Sequence, residues 1–315
     1  MNRERIVIIC PGRGSYTRDT QGYLNKYIQS SSNKIKYMDD ERNNAGLPTL
    51  TEIDSQKFKA SIHMKGEHAS TLIYACSLVD YYSIDQSKYK IVAILGNSMG
   101  WYSTLSFSKS LHYQKAYGLI DVMGSMMKNK IIGGQIIYSI ADDDWNINKD
   151  LMKQCLKEVE KVGAKISIYL GGYIVIGADQ EALNTLLKRL PKKDNYPFQL
   201  PYHAAFHTPL LQSISKEAKE IFSKDTFLKP QTPIIDGRGY IWSPWSTNET
   251  DLWNYTFDHQ VSNTYDFTKS LTVSIKEFSP DKIVLLGPGN TLGGAIGQVL
   301  CKLKWKNIAS KKDFV

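Results

Sequence analysis

The feature that most constrains the fold is a G-x-S-x-G motif directly after a largely apolar run. The run is Tyr89–Leu95, and the motif is Gly-Asn-Ser-Met-Gly at residues 96–100. A strand that enters G-x-S-x-G and leaves as a helix is the nucleophile-elbow arrangement, in which two glycines allow a turn too tight for side chains. The pattern predicts that Ser98 lies at the carboxyl end of a sheet with its hydroxyl free to act as a nucleophile. An ordinary Gly/Ser turn between strand and helix is the alternative that the motif leaves open.

Length and composition are those of a globular protein. The chain has 315 residues, of which 42% are hydrophobic and 22% charged, so it can form one large core or two modest ones. No apolar run approaches the roughly 18 residues of a membrane span, and the one after Arg5 is too short for a signal peptide. The four cysteines lack metal-ligand spacing and are expected to be reduced thiols: Cys10, Cys76, Cys155 and Cys301. We expect a cytoplasmic monomer without a membrane segment or a metal site.

The chain carries a formal charge of +8, much of it in lysine-rich segments. The ordinary interpretation is a solvated surface. The functional interpretation is attraction to an acidic partner or a phosphorylated ligand. No nucleic-acid-binding motif accompanies the charge, so we expect no nucleic-acid partner.

Apolar runs that end at or near glycine predict a sheet buried on both faces, which is typical of α/β folds. The predicted strands of this main body are Ile6–Cys10, Ile91–Leu95 and Ile283–Gly287. Helical periodicity follows in Thr71–Tyr82, Tyr102–Ser108 and Tyr113–Lys128.

Between these segments the order of predicted elements becomes β-α-β-β-α-β, with a Gly-Gly hairpin turn at its centre. The elements are Gln135–Ala141, Lys149–Val162, Lys165–Leu170, Tyr173–Gly177, Gln180–Leu190 and Pro197–Pro201. This order is the ferredoxin-like arrangement. We predict a large α/β subdomain at residues 1–130 and 207–315, with a ferredoxin-like small subdomain inserted at 131–206.

A serine nucleophile needs a base within hydrogen-bond reach, and His207 is the best candidate of six histidines. It ends a predicted strand and precedes Thr-Pro, a helix start that can hold a base rigidly. By contrast, His112 falls between two helical segments and is interpreted as a surface or core histidine.

The chain resembles the malonyl-CoA:acyl carrier protein transacylase family, which includes acyltransferase domains of polyketide synthases. Four segments in family order carry the resemblance: Cys-Pro-Gly-Arg-Gly-Ser at 10–15, the G-x-S-x-G motif, Ala-Phe-His-Thr-Pro at 205–209, and Gly-Pro-Gly at 287–289. The resemblance implies an α/β-hydrolase-like large subdomain with an inserted ferredoxin-like small one. It also implies an acyl-accepting Ser98 with His207 as its base, and an oxyanion hole from the main-chain N–H groups of Met99 and Arg13.

The aligned segment 263–267 places Asp266 where the family orients the histidine with a main-chain carbonyl. Its side chain either completes a Ser-His-Asp triad or is an ordinary surface carboxylate, and both alternatives stay open.

Several positions depart from the family pattern. Asn97, a supporting residue, replaces the motif's histidine, and Arg13 replaces a glutamine. Met123 stands where malonyl-specific members carry the arginine that pairs with the malonyl carboxylate, and with Phe206 it is a predicted acyl-specificity residue. A methionine offers a carboxylate no partner, so an uncharged acyl group becomes favoured, unless Arg13 supplies the cation.

Three functions follow from this resemblance. The first is an acyltransferase that moves an acyl group from acyl-CoA through acyl-Ser98 to the phosphopantetheine arm of an acyl carrier protein, in fatty-acid or polyketide synthesis. The second is a trans-acting acyl-thioester hydrolase on the same scaffold, and the third is a catalytically weak carrier-binding protein. No permanently bound cofactor is expected for any of them.

Overall fold

The structure is a computed structural model that describes residues 3–26, 31–128 and 131–314. Its strands are β1 (Glu4–Cys10), β2 (Tyr89–Gly96), β3 (Gly134–Ser139), β4 (Lys165–Leu170), β5 (Tyr173–Ala178), β6 (Phe198–Gln199), β7 (Ile234–Ile235), β8 (Ile241–Trp242), β9 (Tyr265–Asp266) and β10 (Lys282–Leu285). Its helices are α1 (Ser32–Asn44), α2 (Leu50–Ser55), α3 (Ala60–His63), α4 (Gly66–Ser83), α5 (Gly100–Phe107), α6 (Tyr113–Ser125), α7 (Lys149–Lys161), α8 (Gln180–Arg189), α9 (Gln212–Ile221), α10 (Glu249–Phe257), α11 (His259–Ser262), α12 (Phe267–Phe278), α13 (Gly293–Leu303) and α14 (Lys311–Phe314).

The main sheet has the strand order β10-β1-β2-β7-β8, and all neighbouring pairs are parallel except β7 with β8. The central strands β1 and β2 carry the predicted apolar runs, and the side chains of Ile6–Cys10 are fully buried. The predicted third strand is present as β10, but it ends at Leu285 instead of Gly287. It lies at the edge of the sheet, which is why its apolar residues are only partly buried.

The second sheet has the order β6-β3-β5-β4-β9. Its first four strands pair antiparallel in the ferredoxin-like order, and α7 and α8 pack on them around a separate apolar core. The fifth strand, β9, comes from much later in the chain and pairs parallel with β4. The sequence did not predict this pairing, because a two-residue strand shows no periodicity. The subdomain boundaries at 131 and 206 stay a prediction.

The helices predicted from periodicity are present with shifted ends. The predicted helix at 71–82 is α4, which begins at Gly66, and the one at 113–128 is α6, which ends at Ser125. None of the helices in the described ranges is long and apolar enough to cross a bilayer. The cytoplasmic location and the monomeric state stay predictions.

Candidate active site

Ser98 lies on a sharp turn between β2 and α5. Its φ angle is 54°, in the left-handed region that side-chain-bearing residues rarely adopt. The flanking glycines make the turn possible, because a Cβ at Gly96 would overlap the backbone of Gly100, and a Cβ at Gly100 would overlap the carbonyl of Cys10. The predicted strand–turn–helix geometry of a nucleophile elbow is therefore present.

The structure brings the predicted base to this serine. The Oγ of Ser98 lies 2.8 Å from Nε2 of His207. On the other side of the ring, Nδ1 of His207 lies 2.6 Å from the main-chain carbonyl oxygen of Gln260. Since a carbonyl oxygen only accepts, Nδ1 carries the proton, and Nε2 is left to accept the hydrogen bond from Ser98.

Gln260 holds both members of this pair. Its side-chain Nε2 donates to the carbonyl oxygen of Ser98 at 3.0 Å, and its Oε1 accepts from the hydroxyl of Tyr102 at 3.1 Å. Gln260 is buried on the short helix α11. Sequence reasoning missed this residue, because orientation by a main-chain carbonyl leaves no side-chain signature.

The structure brings neither the main-chain carbonyl nor the carboxylate of Asp266 to His207, which leaves the alternative of a carboxylate outside the catalytic site. Asp266 caps α12 with its carboxylate, which accepts from the N–H of Lys269 at 2.8 Å, and its carbonyl oxygen accepts from the hydroxyl of Ser270 at 2.9 Å. The group that orients His207 belongs to Gln260, six residues earlier. Asp266 is the N-cap residue of α12, a position that aspartate commonly occupies.

The backbone around His207 is fixed from two directions. Its φ angle is 58°, and its N–H donates to the carbonyl oxygen of Val261 at 3.0 Å. The preceding carbonyl, that of Phe206, accepts from the hydroxyl of Ser167 on β4 at 2.8 Å. Burial lowers the pKa of His207 to about 4, although the carbonyl of Gln260 acts in the opposite direction. His207 is therefore neutral at physiological pH and able to accept a proton.

The predicted oxyanion donors are the main-chain N–H groups of Met99 and Arg13. Met99 immediately precedes α5, and the loop carrying Arg13 follows β1, whose last carbonyl, that of Cys10, accepts from the N–H of Asn97 at 3.0 Å. Within the described residues, neither the Met99 nor the Arg13 main-chain N–H has a hydrogen-bond partner.

Ser98 and His207 line a cavity of about 360 Å³. Most of its wall is apolar and includes Met123 on α6 and the two methionines that follow it, Met126 and Met127. Arg13 is the one lysine or arginine that lines the cavity among the residues described here.

The side chain of Arg13 is held at one nitrogen. Nη2 donates to the carbonyl oxygens of Met64 at 3.0 Å and Tyr202 at 2.8 Å, and the guanidinium stands 5.6 Å from the ring centre of Phe206. Its Nε is buried with no hydrogen-bond partner in the described part of the chain. Burial lowers the pKa of Arg13 to about 10, so the group is still a cation at neutral pH.

Comparisons with known proteins show similarity in sequence and in fold. No family model matches the chain. The malonyl CoA-acyl carrier protein transacylase of Buchnera aphidicola subsp. Schizaphis graminum is 23% identical over 237 residues, which are 73% of each chain. The crystal structure of the Synechocystis sp. PCC 6803 malonyl-CoA:ACP transacylase superposes with a TM-score of 0.78 at 14% identity, over 94% of each chain. A malonyl-transacylase solved in complex with a type II polyketide synthase acyl-carrier protein superposes with a TM-score of 0.74 at 18% identity, over 94% of this chain and 93% of that one.

The chain is thus similar in sequence to a malonyl-CoA:acyl carrier protein transacylase and shares the fold of these enzymes. The predicted fold class, an α/β-hydrolase-like large subdomain with a ferredoxin-like small one, is confirmed.

Three departures from the transacylase pattern line the cavity: Arg13, described above, Met123 and Asn97. Met123, aligned with the family's specificity arginine, is part of the apolar wall. Asn97, aligned with the motif's histidine, is 7% exposed, and its Oδ1 is buried without a partner in the described residues. Within the described ranges no cluster of three or more metal-ligating side chains occurs.

Proposed function

We propose that this protein is an acyltransferase of the transacylase family that moves an acyl group from acyl-CoA through acyl-Ser98 to an acyl carrier protein. The proposal rests on the hydrogen bonds that link Ser98 to His207 and His207 to Gln260. All three residues line an apolar cavity. A serine on a strained turn that is hydrogen-bonded to a neutral imidazole can lose its proton to the imidazole and attack a thioester carbonyl.

The first half-reaction forms the acyl-enzyme. Nε2 of His207 takes the proton from Oγ of Ser98 while Oγ forms a bond to the thioester carbonyl carbon. The N–H groups of Met99 and Arg13 donate to the oxyanion of the tetrahedral intermediate; losing one such donor typically slows catalysis by about 10²–10³-fold. Collapse of the intermediate breaks the C–S bond, and the proton on His207 goes to the departing thiolate of coenzyme A.

The second half-reaction reverses these steps with a new thiol. The thiol of the carrier protein's phosphopantetheine arm gives its proton to His207 and attacks the acyl-Ser98 ester. The proton then returns to Oγ of Ser98 as the acyl group leaves. No permanently bound cofactor enters this sequence.

The cavity wall favours an uncharged acyl group over malonyl. A buried carboxylate needs a bidentate cation to offset its desolvation, and the methionine at position 123 offers only an apolar contact. Arg13 is a cation, but its Nη2 already donates to two main-chain carbonyls. An uncharged acyl chain can pack on Met123, Met126 and Met127 and needs no charged partner in the cavity wall.

An acyl carrier protein is the proposed acceptor. The relative solved with its carrier is a malonyl-transacylase of the same fold. The charge of +8 on this chain also suits an acidic protein partner.

The test is the fate of the acyl-enzyme. The protein is loaded with hexanoyl-CoA, freed of excess donor, and divided between buffer and a phosphopantetheinylated carrier protein. Transfer predicts that the adduct persists in buffer and that the carrier gains the acyl mass. An adduct that disappears equally fast in both, with free acid as the product, contradicts transfer and favours the hydrolase alternative.

A further inference from the structure

His203 is a second histidine on the cavity wall that the mechanism does not use. Its Nδ1 lies 2.8 Å from Oε1 of Gln135. The Nε2 of that glutamine donates to the hydroxyl of Ser167 at 2.6 Å, so Oε1 is the end that accepts. Nδ1 of His203 therefore carries the proton, and Nε2 is an acceptor with no hydrogen-bond partner among the described residues.

The charge state of His203 is fixed as well. Burial, and then the positive charge of Arg13, lower the pKa of His203 well below its usual value. The imidazole is therefore neutral at physiological pH, and Nε2 presents a lone pair rather than a proton.

His203 and Arg13 stand on the same wall. The ring of Phe206 contacts both, at 6.1 Å from the His203 ring centre and 5.6 Å from the Arg13 guanidinium carbon. His203 contributes an unpartnered acceptor, Nε2, whereas the unpartnered Nε of Arg13 is buried beneath the cavity surface. A ligand group that pairs with His203 must therefore carry a hydrogen-bond donor.

The place of His203 indicates which part of a substrate reaches it. A second cavity, of about 550 Å³, shares Leu200, Pro201 and His203 with the cavity of Ser98. Its other walls include the exposed residues Ile131 and Gln180, so it opens on the protein surface. None of the three wall methionines lines it. His203 therefore lies between a cavity that opens on the surface and the cavity that contains Ser98.

We propose that His203 recognises a secondary amide in the arm of the thioester substrate. The amide N–H donates to Nε2 of His203. The inference rests on the proposed function, since the pantetheine arm of coenzyme A and of carrier proteins contains secondary amides. A carboxylate fits this position poorly, because it has no proton to donate and would face the His203 lone pair.

The experiment compares two hexanoyl thioesters that differ in one group. One carries N-acetylcysteamine, with an amide, and the other carries O-acetyl-2-mercaptoethanol, where an ester keeps the carbonyl and lacks the N–H. The readout is the ratio of their second-order rate constants for forming acyl-Ser98, followed by intact mass. The unmodified protein is expected to favour the amide by about 5- to 10-fold, the value of one hydrogen bond to a buried acceptor.

The His203→Phe variant keeps an aromatic ring and removes the acceptor, so its amide-to-ester ratio is expected to fall to about one. The matched control is His112→Phe at an exposed position, which is expected to keep the full ratio.

An amide-to-ester ratio near one in the unmodified protein overturns the inference. So does an amide-to-ester ratio in His203→Phe that equals the ratio of the unmodified protein. The measurement on the unmodified protein is decisive even if the variant fails to fold. Failure of the proposed function is a different result, in which neither thioester leaves an adduct on Ser98.

Discussion

The substitution Met123→Arg tests whether the apolar wall sets the acyl preference. Met123 is partly buried on α6 and contributes to the cavity that contains Ser98. The unmodified protein is expected to load hexanoyl faster than malonyl, because a malonyl carboxylate must enter a wall whose cation, Arg13, already donates to two carbonyls. The new arginine would give that carboxylate a bidentate partner.

The size of the expected change follows from this new contact. A charge-assisted hydrogen bond contributes about 1.5–3 kcal/mol, which corresponds to roughly a 10- to 150-fold rise in the malonyl-to-hexanoyl ratio. The volume-conserving control, Met123→Leu, keeps the wall apolar and is expected to leave the ratio within about threefold of the original.

The assay is time-resolved intact mass after mixing with malonyl-CoA or hexanoyl-CoA. Two results would show that the apolar wall does not set the acyl preference: malonyl loading at least tenfold faster than hexanoyl loading in the unmodified protein, or an unchanged malonyl-to-hexanoyl ratio in Met123→Arg. In the first case, loss of malonyl loading in Arg13→Gln would assign the carboxylate contact to Arg13.

Three further predictions concern the residues around His207. Asp266→Asn should leave acylation within about twofold of the original rate, since the carboxylate caps a helix and asparagine also caps; a loss of orders of magnitude in stopped-flow acylation would restore the triad. Gln260→Met should lower the free energy of unfolding, measured by urea denaturation, by about 1–3 kcal/mol, because the buried hydroxyl of Tyr102 loses its acceptor. The pH profile of acylation should stay unchanged, because the main-chain carbonyl that orients His207 remains. The pKa of His207 is lowered to about 4 in the folded state, so the unfolded chain binds the extra proton between pH 6.5 and 4. As the pH is lowered from 6.5 to 4, the free energy of unfolding should fall by up to about 3 kcal/mol more in the unmodified protein than in His207→Phe. Parallel curves of unfolding free energy against pH for the two proteins would contradict the lowered pKa.

The nucleophile elbow was predictable from sequence because its tight turn requires particular residue types. Only glycine fits where β2 and the first turn of α5 nearly touch, and a strand–turn–helix pattern marks the place. His207 was predictable for a related reason, since it precedes Thr-Pro at a helix start. Both inferences use local sequence, and the structure brings the two residues together.

The elements that sequence reasoning missed depend on contacts between distant segments. The His203–Gln135 hydrogen bond joins residues 68 positions apart, and no motif records it. The carbonyl that orients His207 is a main-chain atom, so any residue type could supply it. Similarly, β9 is two residues long and becomes a strand only because β4 lies beside it.

Intact-protein mass spectrometry after incubation with hexanoyl-CoA shows whether Ser98 carries the acyl group. We expect a single adduct of one hexanoyl group on the unmodified protein and none on Ser98→Ala, with peptide mapping that assigns the adduct to the elbow. A hexanoyl adduct that persists on Ser98→Ala at the original rate would contradict this expectation.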